Sequence, residues 1–302
     1  MRYIMVLPVL AKTQEIEIDE AYFSALRRAK SVLSNALAIE KKYEILLSNY
    51  HEFEQQILHV TASHMIRGIP RSPQDFRLMM DLDFKLMVDL RLVNLLTSAR
   101  LYLDQLSGHV RDCLPHQADT ELAVKSVFAA EYDSELDYRF MEALRNHVQH
   151  RGLAVHEVSI SEGFTSVEGE RLIRHSLEFR TLKSELAMDG NFKKTVLDEI
   201  SDRVDLKLAT RCYVESLSKA HEKIRNLIEE SVVQSRQTIE DAISQYKKEY
   251  TGNVPGIQVW QMDGEVVAER DWLLLDGDDI RRKLQERNRK LFKLQIRYAT
   301  NR

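Results

Sequence analysis

Cysteine, proline and glycine are scarce in this chain of 302 residues, at two, five and ten. Cys113 and Cys212 form no spacing motif, which excludes a disulfide framework and points to a reducing compartment. So few helix-breaking residues, with Leu, Ala, Glu, Lys and Arg dominating, favour long helices. No apolar run approaches the length that spans a bilayer. The opening "MRYIMVLPVLAK" is apolar but short. Arg2 is its early charge and Pro8 breaks it, so it reads as a strand rather than a signal peptide, and a cytoplasmic protein without membrane contact is expected. There is no glycine loop to cradle phosphates, no Gly-x-Ser-x-Gly and no His-Glu-x-x-His. Nucleoside triphosphatase and hydrolase readings therefore lack support, and no cofactor is expected.

What is present is a globular composition, 44% hydrophobic and 30% charged, long enough for one large or two modest domains. A net charge of −4 argues against a general nucleic-acid coat. The charge is uneven, however. Residues 281–302 hold nine Lys or Arg against one Glu, a tail of +8 that leaves −12 elsewhere. Ile280, Leu284, Leu291, Leu294 and Tyr298 fall at helical spacing there, so the tail is expected to form an amphipathic basic helix. Such a helix suits a nucleic-acid backbone, or a solvated cationic face over a docked apolar stripe.

The chain divides into an N-terminal strand or arm over 1–18, a helical bundle over 19–252 with a hairpin inserted at about 154–181, and a β-hairpin plus basic helix over 253–302. Asp19 is placed to cap a helix running into the sixties, stopped by Gly68, Pro70 and Pro73. Ser72, Pro73 and Asp75 start the next, which Pro115 ends. A short helix near 119–130 follows, then one from Asp133 or Ser134 to a capping Gly152. "LAVHEVSI" and "RLIRHSLEFRTL" alternate like strands. A helical region spans 182–201, and a very long helix runs from 203 to Tyr250, stopped by Gly252 and Pro255. Asp263-Gly264 turns a second hairpin. The expected fold is mainly α, a long-helix up-and-down bundle with two small β-hairpin insertions.

One stretch, "RNHVQH" at 145–150, carries chemistry. Metal is one reading, since His147 and His150 share a helix face and His156 follows. Zinc needs further ligands, no cysteine or His-Glu-x-x-His pattern is nearby, and no metal is expected there. An ordinary solvated helix end is another, with His150 and Arg151 favoured by the negative end of the helix. The third is phosphodiester cleavage, which needs a proton acceptor, a proton donor and a cation for the phosphorane charge. Histidine near neutrality and the fork of arginine supply them. Asn146 lies four before His150 on nearly the same face. Arg145 lies about 140° away round an ideal helix. Either the helix distorts towards Gly152 or a second copy completes the site.

Arg145, Asn146, three residues and His150 resemble the R-x4-H signature of the HEPN family, named for nucleotide-binding domains of higher eukaryotes and prokaryotes. The Asn after the arginine and the position late in a helix agree with it. "NLLTSARLYLD" resembles a polar segment of larger bacterial HEPN-like proteins, which nominates Asn94, Arg100 and Asp104 as neighbours. The resemblance covers roughly residues 75–152 and implies a HEPN-like bundle with a metal-independent endoribonuclease activity on RNA. It further implies a homodimer sharing one cleft, a role as toxin or in defence against phage, and a neutralising or regulatory protein partner. His150 is then the acid/base, Arg145 the transition-state cation and Asn146 the positioning residue, with His147 and Arg151 on the flanking backbone. The chain departs from small toxins of this group, which often carry tyrosine two after the histidine where Gly152 stands here. It is also about twice a minimal family domain in size, and neither hairpin belongs to the pattern. A non-catalytic HEPN-like RNA-binding or scaffold module is the alternative. His156 and His175 read as half-buried, hydrogen-bonded strand residues, and His51, His59, His64, His109, His116 and His221 show no paired carboxylate or nucleophile pattern.

Overall fold

The computed structural model describes residues 1–8, 14–115, 117–167, 169–188, 190–250, 256–297 and 299. It is mainly helical, with two small antiparallel sheets. In chain order come β1 (Arg2–Leu7), β2 (Gln14–Ile18), α1 (Glu20–Arg67), α2 (Pro73–Leu78) and a π-helical segment (Met79–Leu86). Then follow α3 (Met87–Cys113), α4 (Thr120–Ser134), α5 (Leu136–His150), β3 (Glu157–Val167), β4 (Glu170–Leu182), α6 (Lys183–Met188) and α7 (Lys194–Glu199). The chain continues with β5 (Arg203–Asp205), α8 (Leu206–Glu249), β6 (Gln258–Asp263), β7 (Val266–Trp272) and α9 (Asp276–Arg287). Among the described residues no helix is long and apolar enough to cross a membrane.

Local chemistry sets the boundaries. The Tyr22 amide donates to Asp19 Oδ1 at 2.7 Å, capping α1. Gly68 ends α1 with φ of 68°, a left-handed value that glycine adopts without cost, and its amide donates to the His64 carbonyl at 2.8 Å. Ser72 caps α2, with Pro73 in the first helical turn. Asp205 caps α8, accepting from the Leu208 amide at 2.9 Å. Gly264, with φ of 62°, opens the tight β6–β7 turn.

The chain forms two compact units. The first comprises Met1–Lys42, Gln105–Lys125 and Glu222–Arg289. Its sheet has the order β2-β1-β6-β7, every pair antiparallel, so the expected N-terminal strand is there as a central strand. Ile4, Met5 and Val6 are consecutive and buried, as a strand covered on both faces requires. The Tyr246 hydroxyl donates to the Gln14 carbonyl at 2.6 Å and accepts from the Leu7 amide at 3.1 Å. Glu40, 1% exposed, takes the Arg225 guanidinium in a fork of 2.8 and 2.6 Å.

The second unit comprises Tyr43–Asp104, Ser126–His221 and Lys290–Arg302. Its sheet has the order β3-β4-β5, and the expected hairpin at 154–181 is there, extended by the short third strand. Phe53, Leu92, Tyr102, Phe140, Leu144, Tyr213 and Leu217 build its core. Asp89, buried on α3, accepts from the Ala154 amide at 2.9 Å and the Val155 amide at 3.0 Å, fixing the chain between α5 and β3. Burial pushes its carboxyl up to about 6 against those two hydrogen bonds.

Four expectations change. The basic tail is not one helix. Only 281–287 of it lie in α9, whose first turn is acidic, and the chain then leaves helical geometry, with Lys293 at φ 53°. Arg281 is buried and hydrogen-bonds Asp278, so it is spent inside the fold rather than offered to a backbone phosphate. The region 182–201 is two short helices, and α5 begins at Leu136 after Glu135 rather than at Asp133 or Ser134. Gly152 is not a left-handed cap. The stops expected at Gly252 and Pro255, and Tyr298, lie outside the described residues.

Candidate phosphate-facing site at the end of α5

The corner before α5 is set by Arg139, whose guanidinium donates to the Tyr132 carbonyl at 3.0 Å and the Asp133 carbonyl at 3.1 Å. That satisfies the open carbonyls at the end of α4. The apolar face of α5 buries Tyr138, Phe140, Met141, Ala143, Leu144 and also His147. At the other end the Arg151 amide donates to the His147 carbonyl at 2.8 Å, and the Gly152 amide reaches the same oxygen at 3.3 Å. A Cβ on Gly152 would lie 3.3 Å from His147 Nε2. The glycine thus makes room for a buried imidazole, which is a different reason for it than a positive φ.

The end of α5 walls a cavity of about 420 Å³. Asn146, His147, His150 and Arg151 line one side, and Asn191, Phe192 and Lys193 another. Asn146 and His150 are exposed and open to a ligand, while His147 is buried edge-on to Phe192 with ring centres 6.3 Å apart. Glu142 is the carboxylate on the wall, and the Tyr213 hydroxyl donates to it at 2.6 Å. Lys193 sits 4.7 Å over the Tyr132 ring and hydrogen-bonds its hydroxyl. Two basic side chains, Arg151 and Lys193, therefore border the cavity, a chemistry suited to an anion such as phosphate.

The remaining expected residues lie elsewhere. Arg145 does not line the cavity; it donates to Gln149 at 3.0 Å, and its Nε is buried without a partner. The angle between positions 145 and 150 on a straight helix accounts for this, since α5 stays helical through His150. On α3, Arg100 pairs with Asp104 at 2.6 Å, Asn94 is exposed, and none of the three lines the cavity. His156 precedes β3 rather than lying in it. Its Nδ1 accepts from the Leu182 amide at 3.0 Å, which fixes the ring, and burial pushes its pKa down. Lys193 and Asn191 were not legible as site residues. The signal was Gly190, whose φ of 67° breaks the stretch read as continuous helix and swings the next three residues onto the cavity.

No family model, no curated protein sequence and no solved structure matches this chain.

Proposed function

We propose that this chain is a metal-independent endoribonuclease of HEPN type, built on a long-helix up-and-down bundle and working in the cytoplasm on RNA. The observation that carries the reading is the gathering of Asn146, His150, Arg151 and Lys193 round one open cavity. His150 takes the proton from the 2′-hydroxyl as it attacks the adjacent phosphorus, then returns a proton to the leaving 5′-oxygen. Arg151 and Lys193 grip the phosphate oxygens, and Asn146 orients phosphate or imidazole. Within one chain Arg145 stands off this cavity. In the reading proposed here it serves a cleft shared by a homodimer, where the ends of two α5 helices meet. A role as toxin or in anti-phage defence, restrained by a neutralising or regulatory protein, belongs to the same reading.

The test is cleavage of total RNA and tRNA in EDTA by the wild type, Arg145→Ala and His150→Ala. Wild-type cleavage that leaves cyclic phosphate ends and is lost in His150→Ala is the expected result. Full activity in His150→Ala sinks the proposal. The engagement of Arg145 by Gln149 favours a second reading, a non-catalytic HEPN-like RNA-binding or scaffold module. Salt-sensitive RNA binding without cleavage, unaltered by His150→Ala, is its signature.

A further inference from the structure

His64, in the last turn of α1, has its ring wholly buried, yet neither ring nitrogen has a hydrogen-bond partner. Buried polar atoms in native proteins are almost always satisfied, so an orphaned imidazole asks for a ligand. Opposite it, Glu162 on β3 and His175 on β4 are direct cross-strand partners and place their side chains on one sheet face. Glu162 Oε1 lies 3.4 Å from His64 Nε2 and 3.2 Å from His175 Nδ1. His175 Nδ1 is likewise buried without a hydrogen bond. All three donor atoms fall within 4.8 Å of one another.

We propose that His64, Glu162 and His175 form a binding site for a divalent transition metal, zinc above all. Two imidazoles and one carboxylate are a set that zinc takes with an open fourth position. Metal–ligand bonds near 2.0–2.2 Å give tetrahedral ligand–ligand edges of roughly 3.4 Å, which two of the three edges here already match. Glu162 is half exposed, so the fourth position faces solvent and a water completes it. His64 also borders a cavity of about 300 Å³, walled in part by Met79, Asp83 and Phe84 of the π-helical segment. Single π-turns within helices recur at functional sites because they displace side chains from the regular helical array. The ligands come from one helix end and two strands about a hundred residues further along, so bound metal also ties the hairpin to α1.

The inference is independent of the ribonuclease reading, and its test reads metal rather than RNA. The full chain, stripped with EDTA and dialysed, is titrated with zinc sulfate in a calorimeter. One zinc per chain is expected, with the dissociation constant raised at least tenfold in Glu162→Gln and in His175→Ala. Glu162 is half exposed, so its conservative replacement leaves folding intact, which circular dichroism verifies. Cobalt(II) gives a second readout, visible d–d bands of a low-coordinate site that vanish in either variant. Absence of stoichiometric zinc overturns the proposal. So does stoichiometric zinc with unchanged affinity in both variants, which locates the metal elsewhere.

Discussion

In the first unit the buried charges come in closed sets; in the second several do not. Glu40 is forked by Arg225, and Asp278 is held between Arg236 and Arg281. Asp271 receives both Lys30 and Arg27, and those hydrogen bonds hold its carboxyl below the usual range against the upward push of burial. The second unit instead holds His64, Arg145, His175 and Thr210, each with a buried polar atom lacking a partner. Among the described residues of the first unit there is no such atom. Unsatisfied buried groups destabilise a fold and persist where function uses them. The difference sets the first unit apart as an internally paired framework, and both sites proposed above lie in the second.

The sharpest way to break this contrast is to open a closed set. Glu40→Ala leaves Arg225 largely buried without its carboxylate, a change expected to cost about 3–5 kcal/mol in urea unfolding. Replacing both residues by apolar side chains of similar size is expected to cost far less, because neither charge is then left buried alone. A loss below about 1 kcal/mol for the single change would show that the pair is solvent-screened, and the framework assignment would fall.

Asp89 gives the next effect, in the second unit. Asp89→Ala removes the acceptor from two backbone amides and is expected to cost about 2–4 kcal/mol, whereas Asp89→Asn keeps an acceptor oxygen and costs less. The pH dependence has a definite sign. Its folded pKa of about 6 lies above the ordinary carboxylate value of 3.8, so the folded state binds the proton more tightly. The resulting stabilisation is complete below about pH 4 and is lost as pH rises through 6, an amplitude on the order of 2–3 kcal/mol. Melting temperatures of wild type and Asp89→Asn between pH 4 and 7 measure it. Parallel curves would mean that Asp89 does not titrate there.

How much of this was readable from residues alone follows the range of the interactions. Ser72-Pro73-x-Asp75, Gly68 and Asp263-Gly264 act within a few residues, and the structure places turns or helix ends at each. The cluster Asn146, His147, His150 and Arg151 was legible because one helical turn and its exit bring it together. Lys193 was not, since a cavity wall contributed by residues forty positions on leaves no local pattern. The His64–Glu162–His175 set was hidden more completely: His64 has no carboxylate near it in sequence, and only the β3–β4 register puts one beside it. Position 1–18 shows the same limit, because a short apolar strand does not name its partners, here β2 on one side and β6, about 250 residues on, on the other. The charge pattern of the tail misled for a local reason. Helical spacing of Ile280, Leu284 and Leu291 continues past Asn288, where the backbone turns out of the helix, and spacing does not encode that exit.

The smallest effect concerns the wall of the cavity itself. Gly152 is outside the positive-φ glycines, so alanine is sterically allowed by the backbone and gains about 0.4–1 kcal/mol through the unfolded chain. Its Cβ, however, meets His147 Nε2 at 3.3 Å, closer than ordinary contact. His147 is buried with Phe192 and His156 beside it, so it can retreat only towards the cavity it lines. Overpacking of about 1–3 kcal/mol outweighs the gain, so Gly152→Ala is expected to destabilise by roughly 1 kcal/mol and shift the His147 ring resonances in NMR. A raised melting temperature with unmoved His147 resonances would mean that the imidazole has space behind it. The cavity's inner wall at His147 would then be soft.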